Sequence, residues 1–171
     1  MRMVIFLDID GVLQPHSSNK RFKHDLEELS RDLSLRFNED YLSMDKYDLG
    51  AVFYDWDKDA VKRLRSLCIE TNADIVISSD WRTYSPLTRL KDYFRIHDLD
   101  KYVTGEIPQT SGKRRCGQVT EYLESNPDIT KFVILDDSHV RDFNETYPNQ
   151  FVYCMFIFDD ECYEKALSVL M

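Results

Sequence analysis

The chain lacks the residue patterns that mark a zinc finger, a disulfide scaffold or a membrane protein. Its four cysteines, Cys68, Cys116, Cys154 and Cys162, are widely spaced, form no Cys-x-x-Cys pair and have no clustered histidines beside them. Neither a zinc site nor a disulfide framework is encoded, and all four thiols are expected to be reduced. No apolar run approaches the ~20 residues of a membrane-spanning helix. The few apolar residues before Asp8 are too short for a signal-peptide core. A cytoplasmic protein with no membrane partner is the expectation. Positive charge is also short: 22 Lys and Arg face 31 Asp and Glu, a formal net charge of -9. That balance argues against coating nucleic acid or anionic lipid through long-range attraction, although a local basic patch remains compatible with it. Glycine numbers only 5, with no Gly/Ser-rich linker and no repeat. Residues 1–171 are therefore expected to form one domain.

What is present is a set of short apolar runs, each ending abruptly in acids or hydroxyls. Val4-Ile5-Phe6-Leu7 has the pattern of a strand buried on both faces, and Asp8-Ile9-Asp10-Gly11 follows it. Asp8 and Asp10 lie two positions apart, so their side chains lean the same way, and Gly11 permits a sharp turn. Two carboxylates in one small volume repel unless a divalent cation shares the site or the two have different tasks. Asp74-Ile75-Val76-Ile77 ends in Ser78-Ser79, and Phe132-Val133-Ile134-Leu135 ends in Asp136-Asp137. Two further extended pieces are expected around Tyr102-Val103-Thr104 and over Phe151–Phe156.

Between these runs the period is helical. Phe22, Leu26, Leu29, Leu33 and Phe37 predict an amphipathic helix, whereas Tyr41–Tyr54 reads as a loop or short extended piece. Asp57 or Asp59 caps a helix running to about Thr71, with Asn72 as its terminator. Ser85-Pro86 starts a helix carrying Leu87, Leu90, Tyr93 and Phe94. Val119, Tyr122 and Leu123 set another, and Asp159 or Asp160 opens the last. Ser138 and His139 begin a connecting segment, with His139 expected as a surface or capping residue. Alternating strands and helices imply an α/β fold with a doubly wound parallel sheet, whose ligands bind beyond the carboxyl ends of the strands.

Asp8-x-Asp10-Gly11 after a first apolar strand resembles the first motif of the haloacid dehalogenase (HAD) superfamily, most of whose members are Mg2+-dependent phosphatases. Ser78-Ser79-Asp80-Trp81-Arg82 resembles a subgroup of small HAD-like domains associated with RNA repair, and an Arg before the helix of Val119, Tyr122 and Leu123 fits the same subgroup. The resemblance implies a five-stranded sheet in the order 3-2-1-4-5, with residues 16–54 as a small helical cap inserted after strand one. It implies that Asp8 attacks the phosphoryl group and that Asp10 is general acid, then base. Ser79 donates a hydrogen bond to phosphate, with Ser78 still open. Arg115 supplies the cation, with Lys113 and Arg114 as competitors. Mg2+ is held by Asp8, the Asp10 backbone carbonyl and Asp136, with Asp137 adjacent, while Gly11 brings backbone amides to the phosphoryl oxygens and Asp80 stands beside the substrate. Trp81 and Arg82 are expected to line the pocket.

The expected function is hydrolysis of a phosphomonoester through an aspartyl phosphate. The net charge favours a small metabolite, such as a nucleotide or sugar phosphate, over the alternative, a nucleic-acid 3'-end phosphatase. A non-catalytic phospho-signalling module of the response-regulator kind fits less well. Such a module needs its phosphorylated Asp on strand three and a Lys on strand five, and this sequence offers neither.

Overall fold

The computed structural model describes residues 1–171. Val4, Ile5, Phe6 and Leu7 are wholly buried, because β1 (Arg2–Leu7) is the central strand of an all-parallel sheet of five. It pairs with β2 (Asp74–Ile77) on one side and β4 (Ile129–Asp136) on the other. The edges are β3 (Val103–Glu106) and β5 (Phe151–Tyr153), giving the order β3-β2-β1-β4-β5 that the resemblance implies. A central strand meets helices on both faces, which is why its sequence carries no polar alternation.

Each face has its own core. Ile5 and Leu7 belong to the larger cluster, together with α3 (Lys58–Thr71), α5 (Leu87–Arg95) and α8 (Asp160–Leu170). Val4 and Phe6 point the other way and pack with Cys116 and Val119 of α6 (Arg115–Ser125) and Phe143 of α7 (Val140–Thr146). The helix signals act as the sequence predicts. The Asp57 side chain accepts the Ala60 N–H, the Asp159 side chain accepts that of Cys162, and Asn72 ends α3 in the left-handed conformation at φ 54°. All four cysteines are free and buried.

Several expectations need correction. Tyr41–Tyr54 is helical: a 3-10 turn over Glu39–Ser43, α2 (Lys46–Gly50) and a π turn over Ala51–Asp55. Local caps start these pieces, since Asn38 accepts the Asp40 N–H and Asp45 accepts those of Tyr47 and Asp48. The helix expected from Phe22 begins only at α1 (Leu26–Arg36), capped by Asp25. Phe22 sits in a separate 3-10 turn over Lys20–Lys23 and is exposed. Trp81–Tyr84 forms a single helical turn, α4, where none was expected, and α7 occupies the connecting segment after His139. β5 stops at Tyr153, leaving Met155 and Phe156 exposed.

The loop after β1 is held from three directions. The amides of Val12, Leu13 and Gln14 all point to the Ile9 carbonyl, the Asp57 N–H reaches Leu13 O at 2.7 Å, and the Phe158 N–H reaches Val12 O at 2.9 Å. Asp8 and Asp10 thus stand on a rigid turn clamped to the segments before α3 and α8.

Candidate active site

Side-chain alternation along the strands decides which polar groups meet. Val4 and Phe6 face the smaller core, so Asp8 continues that face. Leu7 pairs with both Ile77 and Leu135, which puts Ser78 and Asp136 one step further on, level with Asp8. They continue the face of Val76 and Ile134, the face on which α6 packs. Arg115, the first residue of α6, is carried into the same spot. Its guanidinium lies 2.7 Å from Asp136 Oδ2, 3.3 Å from Asp8 Oδ1 and 3.1 Å from Asp80 Oδ1. A cation at a helix N-terminus opposes the helix dipole, and three carboxylates offset that here.

Asp8, Asp136 and Asp137 each offer a carboxylate oxygen within 4.8 Å of the others. Asp8 and Asp136 are buried. The Asp8 carboxyl is pushed up to about 8, first by burial and then by the neighbouring Asp136 charge, with Arg115 pulling the other way. Burial works against the Arg115 charge, but Asp136 and Asp8 more than offset it and hold its pKa above the ordinary arginine value. Two buried carboxylates therefore share one guanidinium and remain short of positive charge. The donors are all carboxylate oxygens, a set that suits a hard divalent cation such as Mg2+. Asp136 also accepts the Ser138 N–H and hydroxyl, both at 2.8 Å, which fixes its orientation.

The Asp10 carboxylate lies outside this trio. It is half-buried and accepts the Trp81 indole N–H at 3.1 Å. Burial raises its pKa, and the Trp81 bond acts against the rise. Gly11 turns at φ +81°, and a Cβ there would collide with the Asp137 carboxylate and the His16 ring. His16 is a neighbour that the sequence reading missed: its Nε2 lies 2.5 Å from Asp137 Oδ2. No motif marks it, because it stands at the very start of the insertion, outside any apolar run or helical period.

The two serines differ. Ser78 Oγ is buried without a hydrogen-bond partner, whereas Ser79 Oγ accepts the Trp81 backbone N–H at 3.3 Å. The Arg82 side chain, expected to line the pocket, is buried behind it. It donates to Ser78 O at 2.6 Å, Ser79 O at 2.8 Å and Gln118 Oε1 at 2.6 Å, tying the serine loop to α6. Lys113 and Arg114 are turned to other partners. Lys113 Nζ meets Glu121 at 3.0 Å and Arg114 meets Asp142 at 3.1 Å, both on the surface. His139 makes no capping bond and sits at φ 55°, its ring packed edge-on to Phe143. Asp80 is exposed on the far side of Arg115.

Beside Asp10 opens a cleft of about 220 Å³ lined by Asp10, Asp48, Asp80, Trp81, Tyr84 and Ser85. Asp48 comes from α2, so the insertion supplies one wall of the cleft. No helix is long and apolar enough to cross a membrane.

Compared with known proteins, residues 4–157 match a family model described as the HAD domain in Swiss Army Knife RNA repair proteins. No curated protein and no solved structure gives a significant match.

Proposed function

Because the chain belongs to the family of HAD domains found in Swiss Army Knife RNA repair proteins, we propose that it is a Mg2+-dependent phosphatase that removes a terminal phosphate, the 3'-phosphate first among candidates, from a nucleic-acid strand. One observation carries the phosphatase reading: Asp8, Ser78 and Asp136 stand level at the ends of three adjacent strands with Arg115 across them. The RNA-repair association of the family favours a strand end over the small metabolite that the net charge suggests.

Mg2+ would be held by Asp8, Asp136 and Asp137 with the Asp10 backbone carbonyl, and would supply Lewis-acid neutralisation of the phosphoryl oxygens. The rest follows from the chain itself. Asp8 must be ionised to attack phosphorus, and Arg115, joined by the cation, would hold it so against the burial that raises its pKa, while Asp10 gives its proton to the leaving oxygen. Burial favours the protonated form of Asp10 that this needs. The unpartnered Ser78 hydroxyl and the Arg115 guanidinium receive the phosphoryl oxygens as their charge grows. Asp10 then takes a proton from water, which hydrolyses the aspartyl phosphate on Asp8. Lys113 and Arg114 remain outside this chemistry, and Ser79 holds the loop. Residues 16–54 act as a small cap on a single catalytic domain, delivering His16 to Asp137 and Asp48 to the cleft.

Release of phosphate from a 3'-phosphorylated oligonucleotide, compared with a free mononucleotide, tests the reading. Turnover is expected to need Mg2+, to favour the oligonucleotide and to fall by at least about a thousandfold in Asp8→Asn, in which the attacking group is gone. Preference for the mononucleotide would restore the small-metabolite reading. Undiminished turnover in Asp8→Asn would defeat the mechanism.

A further inference from the structure

We infer that the cleft beside Asp10 is a stacking site for the base of the terminal nucleotide, so that this chain reads a nucleoside and not merely a phosphate. The inference rests on the phosphatase reading, because Asp10 marks where the leaving oxygen departs and whatever that oxygen carries must lie beyond it.

Four features of the cleft fit a base. Its volume of about 220 Å³ falls below the ~300–1,000 Å³ of clefts that enclose a drug-sized ligand, and suits one ring system. Two aromatic side chains line it. Tyr84 is 88% exposed, with no packing role to account for it. Trp81 is held against Asp10 by its indole N–H and braced edge-on by Tyr93 at 5.6 Å and Trp56 at 5.9 Å. An exposed aromatic ring beside a fixed one makes a platform that accepts a flat ring. Lastly, the cleft is lined by three acidic side chains, Asp10, Asp48 and Asp80, and by no basic one. Asp80 is answered by Arg115 at 3.1 Å, but Asp48 has only the Tyr93 hydroxyl at 3.5 Å.

That lining disfavours a second phosphate. It favours a neutral ring with N–H donors, such as the exocyclic amine of adenine, cytosine or guanine, because an ionised carboxylate such as that of Asp48 only accepts. A sugar could donate its hydroxyls to the same acceptors, but it has no flat aromatic ring to lay against Trp81 and Tyr84. The single-turn α4 explains how the arrangement arises. It places Trp81 and Tyr84 three residues apart on one side, next to the serine loop that faces the phosphate.

The test uses two short oligonucleotides with a 3'-phosphate, identical except that one ends in a base-bearing deoxynucleotide and the other in a stable abasic sugar. Wild-type protein with Mg2+ is expected to favour the base-bearing end in kcat/KM by about tenfold or more, the usual scale for one stacked base. Tyr84→Ala should collapse the ratio towards one, while Tyr84→Phe should keep it. Substituting so exposed a side chain leaves the core untouched. Equal rates on both ends in active wild-type protein would overturn the stacking site and leave the phosphatase standing. If neither end is hydrolysed, the phosphatase reading fails, and fluorescence anisotropy of the two strands with the Asp8→Asn protein decides the site separately. Tighter binding of the base-bearing strand, lost in Tyr84→Ala, supports it. Equal affinities overturn it.

Discussion

Ser78 and Ser79 are adjacent, chemically identical and both fully buried, yet the fold gives them different work. Ser79 Oγ already accepts a backbone N–H from Trp81, so Ser79→Ala should lose a capping-type bond and about 1 kcal/mol of stability. Ser78 Oγ has no partner to lose. Ser78→Ala should leave stability unchanged or slightly raised, since an unsatisfied buried hydroxyl is removed, and should lower phosphatase turnover by roughly ten- to a hundredfold if the hydroxyl serves a phosphoryl oxygen. Urea unfolding and steady-state kinetics on the two variants decide the assignment, and the reverse pattern would return the role to Ser79. The sequence could not choose between them. Both follow the same apolar run, and only the pairing of Leu7 with Ile77 and Leu135 fixes which one shares the Asp8 face. The sequence ranks Arg115 before Lys113 and Arg114 only by the resemblance to the subgroup's pattern of an Arg ahead of a helix, since on charge alone the three compete; the structure puts it first in α6, beside Asp8 and Asp136.

Among the elements, strands and long helices were readable because their signals are local. The buried runs, the Asp57 and Asp159 caps and the Asn72 terminator are all written within a few residues of where they act. The insertion was not, because tertiary contacts hold its short turns. Asp55 is the clearest example: its buried carboxylate accepts from Ser18 Oγ at 3.0 Å, from the Arg21 N–H at 3.2 Å and from the Arg21 guanidinium. It pins the Lys20–Lys23 turn across 34 residues of sequence. Asp55→Ala should free that turn at a cost of about 2–3 kcal/mol. Hydrogen exchange should show faster opening over residues 18–24 while β1 and β4 stay protected; uniform destabilisation would show that the insertion unfolds only with the sheet.

The same π turn meets the turn after α5 through His97, whose Nε2 lies 2.7 Å from Val52 O and whose ring stacks on Trp56 at 5.4 Å. Burial holds its pKa below the ordinary 6.5. The folded state therefore disfavours the charged ring. The stability it contributes is complete above pH 6.5 and is lost as the pH falls through the depressed value. Melting temperatures of wild type and His97→Gln, compared at neutral pH and at about pH 5, should converge on acidification because only the wild type has this proton to take up. A constant difference between them would mean that His97 does not titrate in this range.

At the scale of the whole molecule, the net charge of -9 must be reconciled with a nucleic-acid substrate. The basic cluster at the start of α6 is spent on internal partners: Arg115 on Asp136 and Asp8, Arg114 on Asp142, Lys113 on Glu121. No basic residue lines the cleft, and the net negative charge should repel a long strand. The protein is then built to hold the last nucleotide and little else, which predicts how rate depends on salt and on length. Each strand phosphate neutralised by a protein cation adds about 0.7 to the slope of log affinity against log salt. With contacts confined to the terminal residue, log kcat/KM against log KCl at fixed Mg2+ should have a slope of about -1 or shallower. Extending a 3'-phosphorylated strand from about two to about twenty nucleotides should change KM less than about threefold, because the added phosphates meet no cations. A slope steeper than about -3, or a tenfold gain with length, would mean that several surface cations leave their carboxylate partners to bind the strand, and that the ion pairs seen here describe only the free protein.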